Sequence, residues 1–144
     1  MKQISVVAAI PTIGVDLGDR HSRVCVLDEH GEIVEEGRIP TTRSGFEHRF
    51  GSLDRRRVVI ETGTHANWVH DLLAERGHEV VVANARKVRA ISANERKCDE
   101  LDARMLAQLG RTDARLLKPV QVRPEQVRLD LSLVRARADR KSVV

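Results

Sequence analysis

Thr12-Ile13-Gly14-Val15-Asp16-Leu17-Gly18 is the stretch on which the fold of this chain turns. It is an apolar run broken by one carboxylate and framed by two glycines. Ile13–Leu17 reads as a strand, and a carboxylate inside a strand is costly unless something compensates its lost hydration. Gly14 and Gly18 are expected to leave room beside Asp16 for a substrate backbone or a metal. A second stretch, Arg57-Val58-Val59-Ile60-Glu61-Thr62-Gly63, repeats the pattern. Arg57–Glu61 is apolar on both faces, which predicts a central strand parallel to the first. It closes on Glu61, at the carboxyl end where ligands collect in α/β sheets.

Between and beyond these two runs, Ser22–Leu27 is a strand, Asp28-Glu29-His30-Gly31 a turn, and Glu32–Ile39 a third strand. These close an antiparallel meander, and Glu35 and Glu36 mark the third strand as an edge with a wet face. Thr42–Phe50 reads as a short helix with Phe46 and Phe50 one turn apart. Ala66–Glu75 is a helix turning Trp68, Val69, Leu72 and Leu73 inward, with Gly77 at its C-terminal cap. Glu79–Ala83 is a fifth strand and Lys87–Ile91 a helical turn. Asn94–Cys98 is a loop, Asp99–Leu109 a helix ending at Gly110, and Thr112–Arg123 an extended connector. Pro124 opens a last helix carrying a narrow stripe of Val127, Leu131, Val134 and Ala138, suited to pairing with another helix. Val127–Leu133 also alternates, so a strand is an open alternative there.

The order β-β-β-α-β-α-β-α-α predicts an α/β fold. A three-stranded antiparallel meander joins parallel strands in one mixed sheet flanked by helices, with a C-terminal linker helix. The right-handed crossover rule sets the fourth strand beside the first. Asp16 and Glu61 then fall on neighbouring strands.

With 144 residues, the chain has the length of one domain with a real core. Tyr is absent and only Phe46, Phe50 and Trp68 are aromatic, so the core is aliphatic and base stacking on a single strand has little support. The net charge of +4 divides unevenly, −3 over residues 1–80 and +7 over residues 81–144. A basic half suits a polyanion or is a solvated Arg-rich surface. Lys87, Arg89, Arg96 and Lys97 are its candidate nucleic-acid contacts. Cys25 and Cys98 form no CxxC pair, which fits a reducing compartment. No apolar run nears the ~20 residues that span a bilayer, so no membrane partner is expected.

Four carboxylates carry the chemistry: Asp16, Glu61, Asp99 and Asp102. Asp99 and Asp102 lie three apart on one predicted helix face. Together the four would suffice for two divalent ions clamping a phosphodiester in an in-line displacement. The plainer reading makes Asp16 and Glu61 turn or helix caps, Asp99 an N-cap and Asp102 a dipole-complementing residue. His65 near Glu61 is either a substrate contact or a surface His at a helix start. Arg55-Arg56-Arg57 reads as a solvated turn. There is no P-loop, GxSxG or HExxH motif.

With these residues in hand, the chain resembles the N-terminal ribonuclease H/RuvC-like domain of the DEDD insertion-sequence transposases, the bridge-RNA-guided DNA recombinases. The matching stretches are Gly14-Val15-Asp16-Leu17-Gly18, Val59-Ile60-Glu61-Thr62-Gly63-Thr64-His65 followed by Trp68, Asn84-Ala85-Arg86-Lys87-Val88, and Lys97-Cys98-Asp99-Glu100-Leu101-Asp102-Ala103. The resemblance implies a ribonuclease H-like sheet and a metal-binding tetrad of Asp16, Glu61, Asp99 and Asp102. It further implies Mg2+ or Mn2+ as cofactor, DNA and a guide RNA as partners, and a bacterial cytoplasmic location. Residues 10–118 would be the catalytic domain and 119–144 the start of a helical linker that pairs with itself or with the domain that follows in the family. Cys98 stands where the family more often has Thr. Family members continue into a second domain with a catalytic serine, a role not assigned to Ser142. The chain is therefore expected to be truncated and incomplete for strand exchange alone. Two other readings compete: a non-catalytic nucleic-acid-binding fragment, and an actin/Hsp70-type ATPase lobe, whose first phosphate loop also resembles Gly14–Gly18.

Overall fold

A computed structural model describes residues 10–84, 86–87 and 102–122. Its elements in order are β1 (Thr12–Asp16), β2 (His21–Leu27), β3 (Ile33–Pro40), α1 (Arg43–Phe50), β4 (Arg57–Glu61), α2 (Ala66–Glu75), β5 (Glu79–Ala83), α3 (Ala103–Thr112) and a 3-10 turn, Ala114–Leu117. The five strands form one sheet in the order β3-β2-β1-β4-β5. β1 is antiparallel to β2 and parallel to β4, β2 is antiparallel to β3, and β4 is parallel to β5. This is the ribonuclease H-like mixed sheet, and β4 lies beside β1 as the crossover rule requires.

Alternation divides the sheet between two layers of helix. Ile13, Val15, Val24, Val58, Ile60 and Val82 point to the side covered by α1 and α2, where they meet Phe46, Phe50, Val69, Leu72 and Leu73. The few aromatic residues cluster on this side: Phe46 stacks on Phe50 and meets Trp68 edge-on. Val59, Val81 and Ala83 face the other side with Leu106 and Leu117, and Cys25 and Leu27 face it with Ala103 and Ala107. β1 and β4 are buried at their centres, whereas β3 is exposed over nearly its whole length, as an edge strand should be.

α3 lies unusually close to the sheet. A Cβ built on Gly14 would sit 2.1 Å from the Ala103 carbonyl oxygen and 2.6 Å from the Ala107 nitrogen. Ala103 and Ala107 are one turn apart, so a stripe of small residues slides over the side-chain-free point of β1. Gly110 continues the stripe, its α-carbon against the Val59 side chain. The expected room for a ligand at Gly14 is therefore filled by a helix. At Gly18 a Cβ would meet the His21 carbonyl oxygen at 2.4 Å, so that glycine serves the tight β1–β2 connection.

Several boundaries differ from those the sequence predicts. Thr42 is the N-cap of α1, its hydroxyl accepting from the Gly45 amide at 3.0 Å. Asp102 is extended, at φ −82° and ψ 172°, and caps α3, so no continuous helix runs from Asp99 through Leu109. Gly110 does not end α3, which continues to Thr112; packing on Val59 holds the turn that propensity alone would break. The connector after α3 is not simply extended: Ala114–Leu117 makes a 3-10 turn. The Leu117 carbonyl then accepts from the Asn84 amide, and the Val120 amide donates to the Val82 carbonyl, tying the segment to β5. Arg57 is not part of a solvated turn but holds Glu79 at 2.9 Å and donates to the Gly110 carbonyl. Arg86 and Lys87 are helical; the rest of the predicted turn to Ile91, the loop Asn94–Cys98 and the last helix lie outside the described residues.

Replacing a strand glycine by alanine normally gains roughly 0.5–1 kcal/mol. Gly14→Ala should reverse that sign and cost about 1–3 kcal/mol through overpacking against α3. Gly37→Ala in β3, where a Cβ meets nothing within 4 Å, is the control and should be neutral or stabilising. Urea unfolding followed by circular dichroism reads both, and equal midpoints for the two variants would show that α3 does not seat on Gly14.

Candidate active site

Asp16 and Glu61 end β1 and β4, two neighbouring parallel strands. The β1–β4 register ends with Gly14 opposite Val59, and Asp16 and Glu61 each lie two residues further along their strands. Both carboxylates are half-buried and line one cleft of about 340 Å³, together with Gly18, Asp19, Thr62 and His65. The cleft exists because β1 and β4 both end there, the chain leaving the sheet through the β1–β2 connection and through Thr62–His65.

His65 belongs to this cleft. It precedes α2 and makes no side-chain cap. Instead its Nδ1 accepts from the Trp68 indole N–H at 3.0 Å, and Nε2 faces the Asp19 carboxylate at 3.4 Å. Accepting at Nδ1 puts the ring proton on Nε2, so Trp68 and Asp19 together orient the imidazole. The sequence alone leaves His65 between a surface residue and a substrate contact; it is a wall of the cleft. By contrast, the buried His78 is structural: Nδ1 accepts from the Arg56 amide and Nε2–H donates to the Phe50 carbonyl.

Asp102 lies across the same face of the sheet, in a second cleft of about 540 Å³ shared with Arg23, Glu36, Arg38 and Arg104. Its Oδ1 accepts from the Met105 amide at 2.8 Å, which caps α3. Arg104 clamps Glu36 through two hydrogen bonds of 2.6 and 2.8 Å, fastening the start of α3 to the edge strand. That hydrogen-bonded guanidinium holds the Glu36 carboxyl below its ordinary range. Beneath, Cys25 is buried, and burial followed by the Glu36 charge pushes its thiol up, so it is a core residue and no nucleophile.

Of the predicted tetrad, then, Asp16 and Glu61 meet in one cleft and Asp102 stands in the neighbouring one. Asp99 lies outside the described residues, as do Arg89, Arg96 and Lys97; Lys87 is exposed. Among the described residues no group of three or more His, Cys, Asp or Glu side chains is close enough to hold a metal ion. Sequence reasoning misses Arg23, Arg38 and His21 in the two clefts, because isolated charged residues on strands carry no motif.

The DEDD transposase family of the IS110 type matches the chain over residues 13–142. The chain belongs to that family. No curated protein matches it. Among solved structures, RuvC of Thermus thermophilus in complex with a Holliday junction substrate is 13% identical, with a TM-score of 0.49 over 76% of this chain and 98% of that one. A second T. thermophilus RuvC structure is 14% identical, with a TM-score of 0.47 and the same coverage. A polyphosphate/ATP-glucomannokinase from Arthrobacter sp. strain KM is 18% identical, with a TM-score of 0.38 over 70% of this chain and 51% of that one. Among the described residues of this transposase-family chain, no helix is long and apolar enough to cross a membrane.

The cap separates two roles for Asp102. Asp102→Ala should cost about 1 kcal/mol of stability, whereas Asp102→Asn, which still caps, should cost almost nothing. Thermal unfolding measures both; equal losses would mean that the cap contributes nothing and that the charge alone matters.

Proposed function

We propose that this chain is the catalytic domain of a DNA transposase and carries out metal-dependent phosphodiester cleavage and strand transfer. The observation that carries the reading is that Asp16 and Glu61 end two adjacent parallel strands and line one open cleft. Family membership gives that pair a reaction to serve. The domain takes in residues 10–118, with Val120 tied to β5 and Val122 packed on the α1–α2 core, and in this reading copies associate through the segment that follows.

The donor set fits a hard divalent cation. Asp16 and Glu61 present carboxylate oxygens from two rigid strands, which is what Mg2+ or Mn2+ takes. In this reading Asp99 and Asp102 would complete the set only on binding, since Asp102 stands in the neighbouring cleft with one oxygen on the Met105 amide. When bound, the metal supplies positive charge that stabilises the attacking and leaving oxygens of an in-line displacement. The chain's own residues do the rest. β1 and β4 carry the two carboxylates two residues beyond their last paired residues, Gly14 and Val59, and so bring both to one cleft. His65, oriented by Trp68 and Asp19, offers its Nε2–H side to the cleft. The substrate is a DNA strand, with a guide RNA supplying sequence choice in the cytoplasm and a serine from a further domain completing strand exchange.

Calorimetric titration with Mg2+ or Mn2+, with and without a short DNA duplex, tests the reading. Asp16→Asn/Glu61→Gln should weaken metal binding by at least the ~10–100-fold that even an outer-shell change costs. Both replacements preserve volume, so the melting temperature should hold. Unchanged metal affinity in this double variant would sink the assignment.

A further inference from the structure

We propose that Arg23 and Arg38 extend the carboxylate pair into a phosphate track that runs across the sheet, so that the DNA strand crosses β1, β2 and β3 roughly at right angles to them. The inference rests on reading Asp16 and Glu61 as the reacting centre, and adds where the strand goes from there.

Strand register sets the row. Asp16 pairs with Arg23 across β1 and β2, and Arg23 pairs with Arg38 across β2 and β3. Directly opposed residues point to the same face. Asp16, Arg23 and Arg38 therefore form one transverse row, on the face that α3 covers, with Glu61 beside Asp16 in the same cleft. The next row inward holds Val59, Gly14, Cys25 and Glu36. α3 roofs that row, with Ala103 over Gly14 and Arg104 clamped to Glu36. The row of Asp16 and Arg23 is the first one past the helix, and there the sheet opens into the two adjoining clefts, with Arg23 lining both.

Two arginines directly opposite each other repel. Both are exposed, and no carboxylate among the described residues forms an ion pair with either. Carboxylates do stand close by, but Glu36 is engaged by Arg104, Asp102 caps its own helix, and Asp16, opposite Arg23, belongs to the carboxylate pair of the reacting centre. An anion lying between the two guanidinium groups removes the repulsion, and the planar fork of arginine matches phosphate oxygens. The spacing suits a polymer. Strands repeat at about 4.8 Å, so Asp16 and Arg38 stand roughly 10 Å apart along the row. That is more than one phosphate-to-phosphate step of an extended strand, so the row takes successive phosphates of one backbone within reach of the long arginine side chains. One lies at the carboxylates and the others on Arg23 and Arg38.

The test is fluorescence anisotropy of a labelled single-stranded DNA oligonucleotide in EDTA, with affinity followed as a function of salt. Arg23→Gln/Arg38→Gln should flatten the plot of log affinity against log salt by about 1.4, or about 0.7 for each phosphate no longer neutralised. Arg43→Gln/Arg55→Gln makes the same charge change at two exposed arginines away from the row and should leave the slope as it was. Arg23→Lys/Arg38→Lys should keep most of it, and the melting temperature of the Gln pair should not fall, since like charges are removed. Equal slopes in the two Gln pairs, a lysine pair that also loses the slope, a slope that changes only with RNA of the same sequence, or no binding by the native chain at low salt would each overturn the track. EDTA keeps this result apart from the metal reading. Unchanged metal affinity in Asp16→Asn/Glu61→Gln would remove the reacting centre while the slopes still reported on the arginines.

Discussion

Everything on the face that bears the two carboxylates depends on one close approach, that of α3 to β1 at Gly14. Helix and strand meet there at a distance no side chain would permit, because Gly14 has no Cβ and α3 presents Ala103 and Ala107. The approach sets how far α3 reaches along the sheet. It roofs the row of Gly14 and stops short of the row of Asp16. Two further interactions lock the helix in place: Arg57 on the Gly110 carbonyl at one end and Arg104 on Glu36 at the other. Among the described residues, the site is thus the space beside the start of a tightly seated helix.

The second constraint is the parallel pairing of β1 with β4. Backbone hydrogen bonds specify register, and a one-residue slip would turn Glu61 to the α1–α2 face. The apolar alternation on both strands forbids that slip, since Ile13, Val15, Val58 and Ile60 are buried against α1 and α2. The core on one face of the sheet therefore aligns the carboxylates on the other. Stability and site geometry share residues here, and a substitution deep in the α1–α2 core would be felt at Asp16 without touching it.

Local pattern goes far with this chain, and the places where it fails are informative. The strands and first two helices are legible because apolar periodicity and turn residues are local signals. The pairing of Asp16 with Glu61 is legible too, because crossover handedness leaves little choice. Gly14 reads as room for a ligand, yet a missing Cβ does not say what fills the space. Asp102 reads as part of a helix that starts at Asp99, because an N-cap and a first-turn acid look alike three residues apart. Gly110 reads as a terminator, because its packing against Val59 is a long-range contact. Arg57 reads with its basic neighbours, although its partner Glu79 lies on another strand.

The order of elements, the aliphatic core, the family, and the two strands whose ends bear carboxylates are all properties of the amino-acid sequence. They follow from short-range patterning, which survives in any one-dimensional reading. Which residues stand beside those carboxylates is settled only when the chain is folded. Arg23 and Arg38 are distant from Glu61 along the chain and part of no motif. They join its partner Asp16 in one row because antiparallel registers fix which residues lie level across a sheet, and because α3 stops one row short. Both facts are long-range, set by backbone hydrogen bonds between strands and by the close packing of a helix on a glycine.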